Sequence, residues 1–173
     1  MNIHPFIVHF PVAFLSVYSL MELIRIHYIT STGYWFYIKA SLVIIGTAGA
    51  GAAYLSGELA EELLGESELI EIHSRWAKLS VIIFGLIAGL YVIAWLSRLE
   101  LLARIENSLN LNNSITYTML KKILNYTVES FLMILPALAG LVCIVITGAL
   151  GGAIVYGPDI DPFVRIIYSF LIN

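Results

Sequence analysis

Four stretches of the chain run for about twenty residues with at most one charge each, the length an α-helix needs to cross a bilayer core. They extend roughly from Pro5 to Ile24, Trp35 to Leu55, Trp76 to Leu96 and Phe131 to Tyr156. Aromatic residues mark several of their ends: Tyr34, Trp35, Tyr37, Trp76, Trp95 and Tyr156. Amphipathic rings settle there, at headgroup depth. Between the runs lie polar segments. "GELAEELLGESELIEIH" carries an acid at nearly every third position and reads as a helical turn with a wet face. "NSLNLNNSIT" reads as a turn region, followed by "YTMLKKILNY" as a surface helix leading into the last run. After the break at "GPDIDP", residues Phe163, Ile166, Ile167, Phe170 and Leu171 recur at helical spacing. At about ten residues this tail is too short to span and is expected to lie along the interface.

The pattern therefore predicts an all-α fold in a single domain, 1–173. It is an integral membrane four-helix bundle with spans at about 5–24, 35–55, 76–96 and 131–156, and an interfacial helix at 162–172. Composition agrees. Only 12% of the 173 residues are charged and 60% are hydrophobic, whereas a soluble domain carries about 25% charged residues. The single Cys143 excludes a disulfide framework within the chain. The N-terminus does not read as a cleaved signal peptide, since no Lys or Arg precedes the first apolar run.

Charge gives the expected orientation. Four spans put both termini on one side. Arg25, Lys39, Arg98, Arg104, Lys121 and Lys122 then fall on the opposite, loop side, and only Arg75, Lys78 and Arg165 on the side of the termini. Positive charge stays with the cytoplasm, so both termini are expected outside. The outer face collects Glu58, Glu61, Glu62, Glu66, Glu68, Glu71, Asp159 and Asp161. Such a face attracts a basic soluble partner or metal ions; solvated loops are the plainer account.

The runs also resemble one another. "VHFPVAFLS" opens the first and "HSRWAKLS" the third, each with His, then Ala four residues on, then Ser three beyond. "GTAGAGAAY" in the second run matches "GALGGAIVY" in the fourth, aligning Gly46 with Gly148, Gly49 with Gly151, Ala50 with Gly152 and Tyr54 with Tyr156. Two repeated hairpins of this kind are usually related by an axis along the membrane normal. That symmetry would set His9 and His73 at equal depth, facing each other. His9, Ala13 and Ser16 would line one stripe and His73, Ala77 and Ser80 its counterpart.

Polar groups within spans are costly and usually functional. Two opposed imidazoles flanked by small residues suit bis-histidine ligation of a b-type haem, with Gly49, Gly151 and Gly152 letting backbone approach the porphyrin. With both axial positions filled, electron transfer is favoured over oxygen chemistry. His4, ahead of Pro5, suits an N-cap position and could meet a propionate. Other accounts stay open. Gly-rich helices serve close helix contact, as in the Gly85-x-x-x-Gly89 spacing, so a cofactor-free structural or accessory subunit is one alternative. A non-haem metal or transport site among the outer acids and imidazoles is another. His27 lies alone at the opposite end of the first span. No nucleophile–base pair, phosphate loop or nucleotide motif appears, so nothing makes a case for a hydrolase or transferase, an electron-transfer or accessory subunit is favoured over a catalyst, and nucleic acid is not an expected partner.

With "HPFIVHFP" near its start and "TGALGGAIVYGPDIDP" near its end, the sequence resembles a bacterial membrane family described as domain of unknown function 2231. The likeness is carried by His4, Pro5, His9 and Pro11, by Gly148, Gly151, Gly152, Val155 and Tyr156, and by His73 opening the third helix. It implies a cytochrome b-like four-helix bundle in the bacterial inner membrane, multi-pass, with a haem role. The expected function is thus a one-haem electron-transfer protein near the periplasmic side. Its expected partners are the lipid bilayer, other membrane subunits or further copies of the chain, and a basic periplasmic redox protein.

Overall fold

The computed structural model describes residues 4–65, 67–99, 104, 106, 108, 109 and 114–172, without the side chains of 4–6 and 60–64. Among the described residues the chain is helical, with no strand. The helices are α1 (His4–Leu23), α2 (His27–Thr30), α3 (Gly33–Leu64), α4 (Glu68–Leu96), α5 (Ile115–Glu129), α6 (Ile134–Tyr156) and α7 (Pro162–Ile172), with a 3-10 turn at Phe131–Met133 before α6. Three segments are long and apolar enough to cross a membrane: Gly33–Leu59, Glu68–Leu96 and Phe131–Tyr156. The stretch Ile7–Leu23 of α1 is apolar but shorter.

Both α3 and α4 extend past the spans expected from hydropathy. The acidic segment continues α3 to Leu64, and α4 begins at Glu68 rather than near Trp76. The tight turn between them needs Gly65, whose φ of 81° is a region that side chains other than glycine rarely adopt. Ser67 then caps α4, its Oγ accepting from the Ile70 N–H at 3.3 Å. Gly157, with φ 92°, ends α6 in the same way. Asp161 starts α7 by accepting from the Phe163 and Val164 N–H groups at 2.8 and 2.9 Å, with Pro162 first in the helix.

Helix α1 packs on α3 and α6, and α4 packs on the same two helices. Neighbours run antiparallel, as the contact pairs require: Gly46 meets Leu15, Gly49 meets Pro11, and Gly140 meets Phe84. Glycine is needed at Gly140 for closeness, because a Cβ there would stand 2.6 Å from the Phe84 ring. The core is aromatic, with Tyr18, Phe36, Phe84 and Tyr91 buried together. Tyr18 meets Tyr91 edge-on at 5.8 Å, and Phe36 stacks on Tyr91 at 5.6 Å. Helix α7 folds back on α6, setting Val164 against Ala149 and Ala153 and leaving Phe163, Ile166 and Phe170 exposed.

Near α5, Glu106 accepts from the Tyr117 hydroxyl at 2.6 Å and from Lys121 at 2.8 Å. These bonds, from Lys121 first and Tyr117 second, hold the Glu106 carboxyl below its ordinary value of 4.5. A depressed carboxylate lends stability above the ordinary value and loses it as pH falls through the lowered one. The protection factors of the α5 amides, exchange rates corrected for the intrinsic pH dependence, are therefore expected to hold steady down to about pH 5 and to fall as the pH drops below 4.5, and Glu106→Gln should remove that acid step. Gly140→Ala should cost about 1–3 kcal/mol by overpacking Phe84. Gly85→Ala, whose Cβ meets nothing within 4 Å, should be near neutral. Unfolding in detergent measures both.

Candidate functional site

A cavity of about 740 Å³ opens at the end of the molecule where α1 begins and α6 ends. That volume falls within the range of small-molecule and cofactor sites, about 300–1,000 Å³. His9 from α1 and His73 from α4 both line it, with Ala13, Ala77, Ser80, Gly151 and Gly152. Ala50, Ala53 and Gly148 add further small surface, and Tyr54, Glu58 and Tyr156 are also in the wall. The cavity exists because this end carries Ala and Gly where the other carries Tyr and Phe.

Two of the small residues expected at the site lie elsewhere. Gly49 packs on Pro11 and Phe10 of α1, at 3.5 and 3.6 Å from where its Cβ would be. Ser16 is half-buried and outside the lining. His4 is the first residue of α1, and its side chain lies outside the described residues. His27 opens the short helix α2 at the opposite end, exposed.

The two cavity histidines are held differently. His73 Nδ1 lies 3.0 Å from the Thr147 carbonyl on α6. A carbonyl only accepts, so Nδ1 carries the hydrogen. Gly151 gives that ring its room: a Cβ there would stand 3.3 Å from His73 Cε1. His9 is exposed, two residues ahead of the helix-interior Pro11. Their depths also differ. The Tyr91 hydroxyl bonds to Glu22 at 2.7 Å, which sets α1 and α4 level at that point. His9 lies 13 residues before Glu22 and His73 lies 18 before Tyr91. His73 thus stands about 7.5 Å nearer the open end, at 1.5 Å per residue. The two residues start from different depths on their helices, where the repeat symmetry implied equal depth.

At the far end sits a second polar cluster that sequence reasoning passed over. Here Glu22 meets Lys39, which charge sorting places on the loop side. They are 1% and 2% exposed and form an ion pair, Lys39 Nζ lying 3.0 and 2.9 Å from the two carboxylate oxygens. The Tyr91 hydroxyl is also 3.1 Å from the Val128 carbonyl. Arg25 stands 3.8 Å from Glu22 and donates to the Ser130 carbonyl at 3.2 Å. The signal was present: each of the first two runs holds one acid or base near the same end of an antiparallel hairpin.

Among the described residues no group of three or more His, Cys, Asp or Glu could hold a metal ion. A haem needs only two protein ligands, because the macrocycle supplies four nitrogens. Compared with known proteins, the chain matches no family model, no curated protein and no solved structure.

Removing one partner of a buried pair strands the other charge, at a cost of about 3–5 kcal/mol. Lys39→Met should destabilise the protein by that order. The double variant Glu22→Leu/Lys39→Met should recover most of the loss. Denaturant unfolding in micelles distinguishes this from a pair that contributes nothing.

Proposed function

We propose that the chain is a four-span bundle of the bacterial inner membrane that binds one haem b between His9 and His73 and passes electrons near the outer face. One observation carries the reading: two histidines 64 residues apart in the sequence line the same cavity of small side chains. His9 and His73 would hold the iron of such a group through their imidazole nitrogens. Ala13, Ala77, Gly151 and Gly152 would face the macrocycle. Held by two histidines, such a group would supply one-electron transfer.

Helix α1 serves as the first span in this reading, and the sorting of Arg and Lys supports external termini. The hairpins α1–α3 and α4–α6 act as repeats, and α7 lies along the outer interface on Phe163, Ile166 and Phe170. Glu58, Glu68, Glu71, Asp159 and Asp161 are exposed, and favour a basic soluble redox partner. A larger membrane complex or a homo-oligomer would receive the lipid-facing flanks.

A second reading has its own support. Gly46 presses on Leu15 and Gly140 on Phe84, the close contacts by which cofactor-free membrane scaffolds hold together.

The two readings separate in a visible spectrum. Protein expressed with haem supplied and purified in detergent should show reduced-minus-oxidised b-type bands. His9→Ala and His73→Ala should each abolish or strongly weaken them, and His4→Ala should leave them largely intact. A colourless wild type rejects the haem reading and leaves the scaffold. Bands that survive His9→Ala but vanish in His4→Ala would move the second ligand to His4.

A further inference from the structure

We infer that His73 is the fixed ligand, bound through Nε2, and that Gly151 with the Thr147 carbonyl positions it and lowers the midpoint potential; this rests on the haem reading above. A neutral imidazole carries one N–H. With that hydrogen on Nδ1, aimed at the Thr147 carbonyl 3.0 Å away, the lone pair belongs to Nε2. The Nδ1 nitrogen is spent on the backbone and is not available to a metal.

The acceptor is itself well fixed. Thr147 Oγ1 donates to the Cys143 carbonyl at 2.7 Å, one turn back. In an α-helix the carbonyl of residue 147 also accepts from the N–H of residue 151. The ring and the Gly151 amide therefore converge on one oxygen. A side chain at 151 would crowd the ring, its Cβ 3.3 Å from Cε1 and 3.8 Å from Nδ1, so that the imidazole must give by a few tenths of an ångström. Because Cε1 lies between the two ring nitrogens, pushing it turns both the hydrogen bond and the ligating atom.

Donating Nδ1–H to a carbonyl makes the imidazole a more basic ligand, which favours the oxidised iron. The opposite wall is built otherwise. Gly49, which aligns with Gly151 in the sequence repeat, packs on Pro11 and not on a histidine. The repeat therefore does not carry over to these two glycines.

The test has two arms. In protein labelled with nitrogen-15 at histidine and free of haem, His73 is expected to show the Nδ1–H tautomer, and Gly151→Ala to lose it. With haem, Gly151→Ala is expected to lower affinity about 10–100-fold, the usual effect of losing such a support, and to raise the midpoint potential. Gly85→Ala, placed in open space, should change neither. An Nε2–H tautomer in the wild type overturns the inference, even if Gly151→Ala fails to fold. So does a Gly151→Ala protein with unchanged affinity and potential. A wild type that takes up no haem rejects the haem reading and the ligand assignment with it, while the nitrogen-15 spectrum still reports the ring geometry separately.

Discussion

The constraint on which the bundle depends is the charge that two helices bring into its interior. Neither Glu22 nor Lys39 can be buried alone without a desolvation cost of several kcal/mol. Together they fix one register between α1 and α3, since the ammonium bridges both carboxylate oxygens. Tyr91 extends that register to α4, and its contact with the Val128 carbonyl carries it to the end of α5. Apolar surfaces slide past one another at little cost, whereas a hydrogen-bonded ion pair tolerates few positions. Four elements are thus set relative to one another at one polar point. That point also sets the stagger of the histidines, since the depths of His9 and His73 are counted from it.

The two ends of the bundle follow from opposite choices of side-chain volume. Around the ion pair the helices interleave Tyr18, Phe36, Phe84 and Tyr91, all at most 4% exposed. Toward the other end the facing positions are Ala13, Ala50, Ala53, Ala77, Gly148 and Gly151, and the same helices leave the cavity unfilled. Close contact is confined to the middle, where Gly46 receives Leu15 and Gly140 receives Phe84. The filled end is also cross-linked by the bonds from Lys39 and Tyr91 to Glu22. Ser19 contributes there as well, its hydroxyl lying 2.8 Å from the Leu15 carbonyl and 3.1 Å from that of Ala137 on α6.

Much of this was legible in the sequence, and the reasons for the misses are physical. Long apolar runs at helix length gave the helical class, because hydrocarbon thickness leaves little else that spans. The shared cavity of His9 and His73 was readable from paired polar residues near two helix starts. Their unequal depth was not, because a 64-residue spacing says nothing about where two side chains interlock. Gly49 and Ser16 were placed at the site by alignment and face counting, but helix rotation depends on which partner each face meets. The Glu22–Lys39 pair was hidden by treating charges near span ends as solvated. Thr147 was invisible for another reason: it holds His73 through a backbone carbonyl, which any residue type supplies.

The buried pair also changes how the charge distribution is understood. Lys39 is neutralised by Glu22 and buried, so it is not one of the surface cations that bias orientation. Of the remainder, Arg25 leans on Glu22, Arg98 on Glu129 and Lys121 on Glu106. Positive charge at this end is therefore largely committed to holding α5 against the helix ends, with Arg98 stacked over Phe36 at 3.5 Å. The opposite end keeps acids on its surface, with Glu71 paired to Arg75 and Asp159 to Arg165. Glu58 stands in the cavity wall, and Asp159 and Asp161 flank the turn that follows Gly157. One end is a closed, internally paired base and the other an open, acid-rimmed mouth. A charged group leaving or reaching the cavity would meet the field of that acid-rimmed mouth, which sets the two ends apart more than the count of basic residues does.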